Sequence, residues 1–198
     1  MHCIQVLPET CREILHIDLQ HDKKAATVVN LAALLVSAVM AVIGHLFVPF
    51  RYFHAPEEGI AAAFLRLLVM IAGMFLYIVL HELTHAAAMK HYGAGKLRFG
   101  FTGLYAFAGS EGDYFDKSAY RVIALAPLAV WTLLLTPGLI LAPRSWFWVL
   151  YFIQIANISG AAGDVYVTLR LHRFPDTIWV RDTGVDMTAY GSETQKAT

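Results

Sequence analysis

The chain of 198 residues has little charge and almost no cysteine. Charged residues make up 15% of the sequence, and 15 basic residues balance 15 acidic ones. A neutral chain offers no strong electrostatic attraction to a polyanion, which argues against a nucleic-acid partner. The only two cysteines, Cys3 and Cys11, argue against a disulfide framework or a cysteine-rich zinc finger. The polar start of the chain, residues 1–24, lacks the apolar core of a cleaved signal peptide.

Apolar residues are what the sequence has in excess. They make up 58% of the chain, and its mean hydropathy is +0.54, which is typical of an integral membrane protein. Four apolar segments approach or exceed the roughly 20 residues that a helix needs to span a bilayer. They are residues 25–48, 60–89, 119–141 and 145–171. We therefore expect an all-α integral membrane protein with about four transmembrane helices.

The distribution of Lys and Arg predicts the orientation of these spans. Most of the basic residues, including Lys23, Lys90 and Arg170, lie in segments on the same side as the N-terminus, whereas Arg51 and Arg144 fall on the other side. Loops rich in Lys and Arg face the cytoplasm. The sequence thus predicts a multi-pass protein of the inner or plasma membrane with both termini cytoplasmic. Residues 1–198 form one membrane-embedded domain in this interpretation, with a cytoplasmic N-terminal segment (1–24) and tail (172–198).

The connection between the second and third spans has an unusual composition. Residues 93–112, "GAGKLRFGFTGLYAFAGSEG", are rich in glycine and aromatics and carry few charges. This composition favours extended chain over helix and is too apolar for a free loop. We predict a re-entrant or membrane-apposed hairpin here. The alternative is an ordinary surface loop that rests on the bilayer.

The second span contains the motif "HELTH", which places His81, Glu82 and His85 in an apolar helix. Residues four apart share a helix face, so both histidines can reach one zinc ion. A carboxylate beside the first ligand can take a proton from water and pass it to a leaving amine. Titratable groups are costly inside a membrane, which favours a functional role. The alternative is a pair of histidines that hydrogen-bond to neighbouring helices.

A hydrolytic zinc site needs a third protein ligand. His91 follows His85 by six residues, but if the helix continues, its side chain points roughly 240° away at about 100° per residue. His45 lies near the far end of the first span, about 30 Å from Lys24 at roughly 1.5 Å per residue. Neither histidine is therefore expected to be a ligand.

Asp164 is the better candidate for the third ligand, because it is the only acid in the predicted fourth span. At roughly 1.5 Å per residue, it lies about 9 Å from Arg170 at the cytoplasmic end of that span. His85 and His81 lie about 7–8 Å and 13–14 Å from Lys90, the corresponding end of the second span. The three side chains are therefore predicted to lie at a similar depth.

Asn157, Gly160 and Asp164 form one stripe of the predicted fourth span. Gly160 and Gly163 fit the small-residue packing that holds membrane helices together. For Asn157 two interpretations stay open. Its amide bonds across helices, or it orients substrate and stabilises an oxyanion.

The segment "HELTHAAAMKHYGA" resembles the motif of site-2 proteases. Together with "YAFAG", "ALAPL", "NISGAAGD" and "WVRDTGVDMTAY", it makes residues 60–190 similar to the putative zincin peptidases, a family of small bacterial membrane proteins. The resemblance implies a zinc cofactor with Asp164 as a ligand beside the two histidines. It also implies a hairpin that binds substrate as an added strand, which gives Gly100, Phe101 and Gly103 as substrate-binding residues.

These observations predict zinc-dependent hydrolysis of peptide bonds within or near the membrane. Zinc is expected on His81, His85 and Asp164, with Glu82 as the catalytic residue and Asn157 among the substrate-binding residues. The expected partners are the lipid bilayer and a membrane protein or peptide substrate. A non-catalytic zinc-binding scaffold or sensor is the main alternative. A metal transporter ranks lower, because the first and third spans offer few polar residues to line a path.

Overall fold

The computed structural model describes residues 2–101 and 106–192 of the chain. The helices in this part are α1 (Lys23–Phe47), α2 (Arg51–His54), α3 (Ile60–His91), α4 (Lys117–Leu141), α5 (Arg144–Gly160) and α6 (Ala162–His172). The strands are β1 (Cys3–Ile4), β2 (Arg12–Asp18), β3 (Lys96–Phe101), β4 (Ala106–Glu111), β5 (Tyr114–Asp116), β6 (Trp179–Asp182) and β7 (Asp186–Gly191).

The fold is mixed α/β, so the prediction of an all-α protein is wrong. Five strands form an antiparallel sheet in the order β1-β5-β6-β7-β2, and β3 and β4 form a separate antiparallel pair. The five-strand sheet joins the two ends of the chain, since Leu15 of β2 lies opposite Ala189 of β7. Outside the apolar helices, these polar segments satisfy their backbone groups by pairing with each other.

Within residues 2–101 and 106–192, three helices are long and apolar enough to cross a membrane: α1, α3 and α4. They correspond to the first three predicted spans. The predicted fourth span, residues 145–171, is not one helix. It is divided into α5 and α6, which have 17 and 11 residues, and each is shorter than the roughly 20 residues that a span needs. Helix α5 ends at Gly160, where the N–H of Ala161 bonds back to the carbonyl of Asn157. Glycine has a low helix propensity, which favours an end here.

Contacts between Cα atoms divide the chain into two compact units. The sheet unit comprises Met1–Val29, Glu82–Ala126 and Gly163–Thr198. Its core contains the strand residues Phe115 and Val180 and the helical residue Leu171, all fully buried. The strand formers Ile17 and Val180 have more exposed neighbours, so β2 and β6 present one face to this core, whereas β7 buries three consecutive residues, Met187 to Ala189.

The helical unit comprises Asn30–His81 and Pro127–Ala162. Its long helices expose many apolar side chains. An aromatic cluster joins the segment after α1 to α5: Phe50 packs edge-on against Trp148, and the indole N–H of Trp148 donates to the carbonyl of Val48. In α5, the hydroxyl of Tyr151 donates to the carbonyl of Met40 in α1.

A hairpin forms where the sequence predicts one, between α3 and α4. β3 and β4 pair in register, with Leu97 opposite Ser110 and Phe101 opposite Ala106. The four residues between the strands, 102–105, lie outside the described residues. Phe99 and Phe101 are exposed on β3. The location of this hairpin at a membrane and the organisation of the chain as one domain stay predictions.

Candidate metal centre

The His-Glu-x-x-His motif lies on α3, which runs without a break through residues 81–85. The apolar, alanine-rich sequence on both sides has a high helix propensity and contains no proline. The uninterrupted helix places His81 and His85 one turn apart on one face. His85 is buried, whereas His81 and Glu82 are half-buried.

His85 is held by a backbone group of α4. Its Nδ1 lies 2.9 Å from the carbonyl oxygen of Ile123. A carbonyl only accepts, so Nδ1 carries a proton, and in the neutral ring Nε2 presents a lone pair. This Nε2 lies 3.6 Å from Oδ1 of Asp164.

Asp164 lies in the first turn of α6, where a negative charge is favoured by the helix dipole. This differs from the expected position within one long fourth span. Asp164 nevertheless lies beside the histidines, two residues after α6 begins at Ala162. Its side chain is about one-quarter exposed at 26%.

One ligand atom each from His81, His85 and Asp164 lies within 4.8 Å of the others. Ligands at roughly 2.0–2.2 Å from a tetrahedral zinc ion are about 3.4 Å apart, so the 3.6 Å between His85 and Asp164 already fits and a small adjustment would complete the set. Two imidazoles and one carboxylate are a donor set of the catalytic type, with a fourth position left for water or substrate. The residues present therefore fit zinc.

The histidines that the sequence excluded lie elsewhere. His91 is the last residue of α3, and its ring packs edge-on against Tyr92. His45 lies near the end of α1 and accepts a hydrogen bond from the backbone N–H of Phe50 at 3.2 Å. Among the described residues, the candidate metal-binding group includes neither of them.

The predicted substrate-binding residues occupy two different places. Gly100 and Phe101 lie on β3, and a side chain at Gly100 would collide with the ring of Phe107 on β4. Gly103 lies outside the described residues. Asn157 is completely buried on α5, and both ends of its amide meet protein groups, Tyr77 and Thr132. These contacts favour the cross-helix interpretation of Asn157, and its role in substrate binding stays a prediction.

Sequence reasoning missed two hydrogen-bonded pairs. Tyr77 lies one turn before His81, and its hydroxyl is 2.8 Å from Nδ1 of that histidine. The i, i+4 spacing on α3 was the available signal. The second pair joins Tyr120 of α4 to Asp182 of β6, with the hydroxyl donating to Oδ2 at 2.6 Å. Burial raises the pKa of Asp182, against the hydrogen bonds that it accepts. No sequence signal connects these two residues.

The comparisons with known proteins give one result. A family model described as "Putative zincin peptidase" matches residues 74–179, which is more than half of the chain and includes the histidines and Asp164. Searches of curated proteins and of solved structures find no significant match.

Proposed function

This chain belongs to the putative zincin peptidase family, and from that premise we propose that it is a zinc-dependent peptidase acting on peptide bonds within or near a membrane. The observation that carries the proposal is the cluster of His81, His85 and Asp164, whose ligand atoms lie within 4.8 Å of one another. These residues would hold the ion. Zinc bound there would supply Lewis-acid chemistry, polarising the scissile carbonyl and activating water.

Glu82 is proposed as the general base and then the general acid. It follows the first ligand directly, on the same turn of α3. Its carboxylate accepts one proton from the attacking water, whose oxygen bonds to the carbonyl carbon of the substrate. The same proton then passes to the amide nitrogen as the carbon–nitrogen bond breaks. The products are a carboxylate and a free amine.

The β3–β4 hairpin is proposed as the substrate-binding edge. In the described part of the chain, β3 pairs with β4 alone, so its other edge offers unpaired backbone groups. An extended peptide can add to such an edge through main-chain hydrogen bonds. Gly100 and Phe101 lie on this strand, and Phe101 is 71% exposed. The proposal includes Gly103, and it keeps Asn157 as a candidate for orienting the peptide.

A multi-pass membrane location with both termini cytoplasmic is part of the proposal. The pairing of β2 with β7 supports it, because residues 12–18 and 186–191 must then lie on one side of any membrane. The bias of Lys and Arg supports the cytoplasm as that side.

Zinc analysis of purified protein tests the ligand set. Wild-type protein in detergent is expected to hold about one zinc per chain, because the three ligands form a single site. Asp164→Ala is expected to lose most of it. Asp176→Ala, at an exposed aspartate of the loop before β6, is the matched control and should keep its zinc. A wild-type protein that binds no zinc would refute the proposal.

Glu82→Gln separates the peptidase from the non-catalytic scaffold or sensor. This variant should retain zinc and lose cleavage of a fluorescent unstructured protein such as labelled casein. Glu57→Gln, at an exposed glutamate, should behave as wild type. Cleavage that persists in Glu82→Gln at the wild-type rate would exclude the proposed role of Glu82. Zinc binding without any cleavage by wild type would favour the scaffold.

A further inference from the structure

The hydroxyl of Tyr77 lies between a proposed zinc ligand and a buried amide. It is 2.8 Å from Nδ1 of His81 and 3.0 Å from Oδ1 of Asn157. The ring of Tyr77 is itself buried and packs edge-on against Trp131 of α4. All of these residues belong to the helical unit.

The orientation of the Asn157 amide follows from its other partners. Its Nδ2 lies 2.9 Å from the hydroxyl of Thr132 and 3.5 Å from the carbonyl oxygen of Leu128, both on α4. A carbonyl can only accept a hydrogen bond, so the NH₂ group must face it. The oxygen of the amide must then face Tyr77. Asn157 is completely buried, so this arrangement has no competition from bulk water.

The direction of each remaining hydrogen bond is then determined. The amide oxygen of Asn157 can only accept, so the hydroxyl of Tyr77 donates its single proton to it. Toward His81, the same oxygen can therefore only accept. Nδ1 of His81 must carry a proton, and in the neutral ring Nε2 then presents its lone pair. That is the tautomer in which Nε2 can bind zinc.

We propose that Tyr77, backed by Asn157 and Thr132, is a positioning residue that fixes the tautomer and ring orientation of the zinc ligand His81. The inference rests on the proposed function, since it concerns binding of zinc. Outer hydrogen bonds of this kind orient a ligand and raise its basicity. His85 obtains the same tautomer from the carbonyl of Ile123, which no substitution can remove. His81 is thus the ligand whose support depends on side chains.

A purely structural role is the alternative. The chain of bonds from Thr132 through Asn157 to Tyr77 also joins α3, α4 and α5, and such bonds hold membrane helices together. A structural role predicts a loss of stability with no specific loss of zinc affinity. A positioning role predicts a loss of zinc affinity beyond that caused by an equivalent change elsewhere in the unit.

Tyr77→Phe removes only the hydroxyl, and Tyr151→Phe is its matched control. Tyr151 also lies in the helical unit, and its hydroxyl also makes a hydrogen bond, to the carbonyl of Met40 at 2.8 Å. Zinc dissociation constants are measured by competition with a fluorescent chelator in detergent, and unfolding midpoints are measured with and without zinc. Tyr77→Phe is expected to bind zinc about 10–100 times more weakly, as when an outer-shell partner is lost. Tyr151→Phe is expected to bind it as wild type does.

Thr132→Val is the second variant, in case Tyr77→Phe does not fold. It removes the hydroxyl that accepts from Asn157 and keeps the shape of the side chain, so a smaller loss of zinc affinity is expected. Equal affinities in wild type and both variants would overturn the positioning role and leave the proposed function intact. A wild-type protein without zinc binding would overturn both. Nitrogen-15 NMR of labelled histidine gives an independent result: a neutral His81 ring in metal-free protein with its proton on Nε2 instead of Nδ1 would contradict the proposed hydrogen-bond directions.

Discussion

The two units of this protein differ in the apolar side chains that they leave exposed. In the sheet unit, the fully buried residues include Phe115, Leu171 and Val180, as in a water-soluble domain. In the helical unit, Leu133 is 75% exposed, while Arg66 and Asn157 are almost completely buried. Both units bury polar side chains, among them Asp113 in the sheet unit, so the difference lies in the exposed apolar surface of the helical unit.

The difference is consistent with the proposed membrane location of the helical unit. Water drives apolar side chains into a core, and lipid does not, because acyl chains are as apolar as leucine. A unit in lipid is held together by close packing and by hydrogen bonds between polar groups that the lipid cannot satisfy. The hydrogen bonds among Tyr77, Asn157 and Thr132 are one example, and the three hydrogen bonds of the Arg66 guanidinium are another. Substituting the same residue type in the two units tests this interpretation.

Leucine-to-alanine substitutions are expected to give the largest contrast. Leu171→Ala in the sheet unit opens a cavity in a packed core and should lower the free energy of unfolding by about 2–5 kcal/mol. Leu133→Ala in the helical unit shortens an exposed side chain and should change the free energy of unfolding by less than about 0.5 kcal/mol. Unfolding of both variants in detergent, followed by tryptophan fluorescence, measures the difference. Equal losses would mean that a second molecule covers Leu133.

Substitution of Arg66 tests how much the hydrogen bonds of a buried polar group stabilise the helical unit. Its guanidinium donates to the carbonyls of Phe53 and His54 at 2.8 and 3.0 Å, and to the carboxylate of Glu58. Arg66→Met leaves the two carbonyls without this donor, which should cost about 2–3 kcal/mol. Glu58→Gln keeps both carbonyl bonds and should cost less, because Glu58 is partly exposed. The measurement is the same unfolding experiment. A more stable Arg66→Met protein would show that apolar packing replaces the network fully.

The sequence predicted those parts of the fold that depend on local patterns. Long apolar runs predicted α1, α3 and α4, because the length and hydropathy of a span are properties of one segment. The five-strand sheet was not predictable in this way. Its strands are short, and β2 meets its partner β7 only at the other end of the chain. The predicted fourth span was wrong because hydropathy alone does not detect the end of α5 at Gly160.

Some residues of the candidate site could likewise be predicted from local patterns, and others could not. The i, i+4 spacing of His81 and His85 is a local property of one helix, and it predicted their common face. Asp164 was predicted from its depth in a span that does not exist as one helix, yet the structure brings it to the histidines. Tyr77 had a usable local signal, one turn before His81. Thr132 had none, because the contact between its hydroxyl and Asn157 joins two helices.

The smallest expected effect comes from Asp116, which precedes α4 in the sheet unit. Its Oδ1 accepts from the N–H of Ala119, and its Oδ2 lies 2.7 Å from Nδ1 of His2. Asp116→Ala removes this helix cap and should cost about 1 kcal/mol near neutral pH. Burial acts to raise the pKa of Asp116, but the hydrogen bonds from Ala119, Ser118 and His2 outweigh it and lower the pKa below its ordinary value.

A lowered pKa makes the contribution of Asp116 depend on pH in a definite direction. The stabilisation is fully present above the pKa of an unfolded aspartate, about 3.9, and is lost as the pH falls through the lower folded value. The gap in unfolding midpoint between wild type and Asp116→Ala should therefore narrow in acid. Asp116→Asn keeps a capping oxygen but cannot titrate. Its unfolding midpoint should therefore lack the pH dependence that comes from the carboxylate of Asp116. Arg66 does not lose its charge over this range, so its effect should show no such narrowing from its own titration. A gap for Asp116→Ala that stays constant down to about pH 3 would show that its carboxylate charge contributes nothing to the cap.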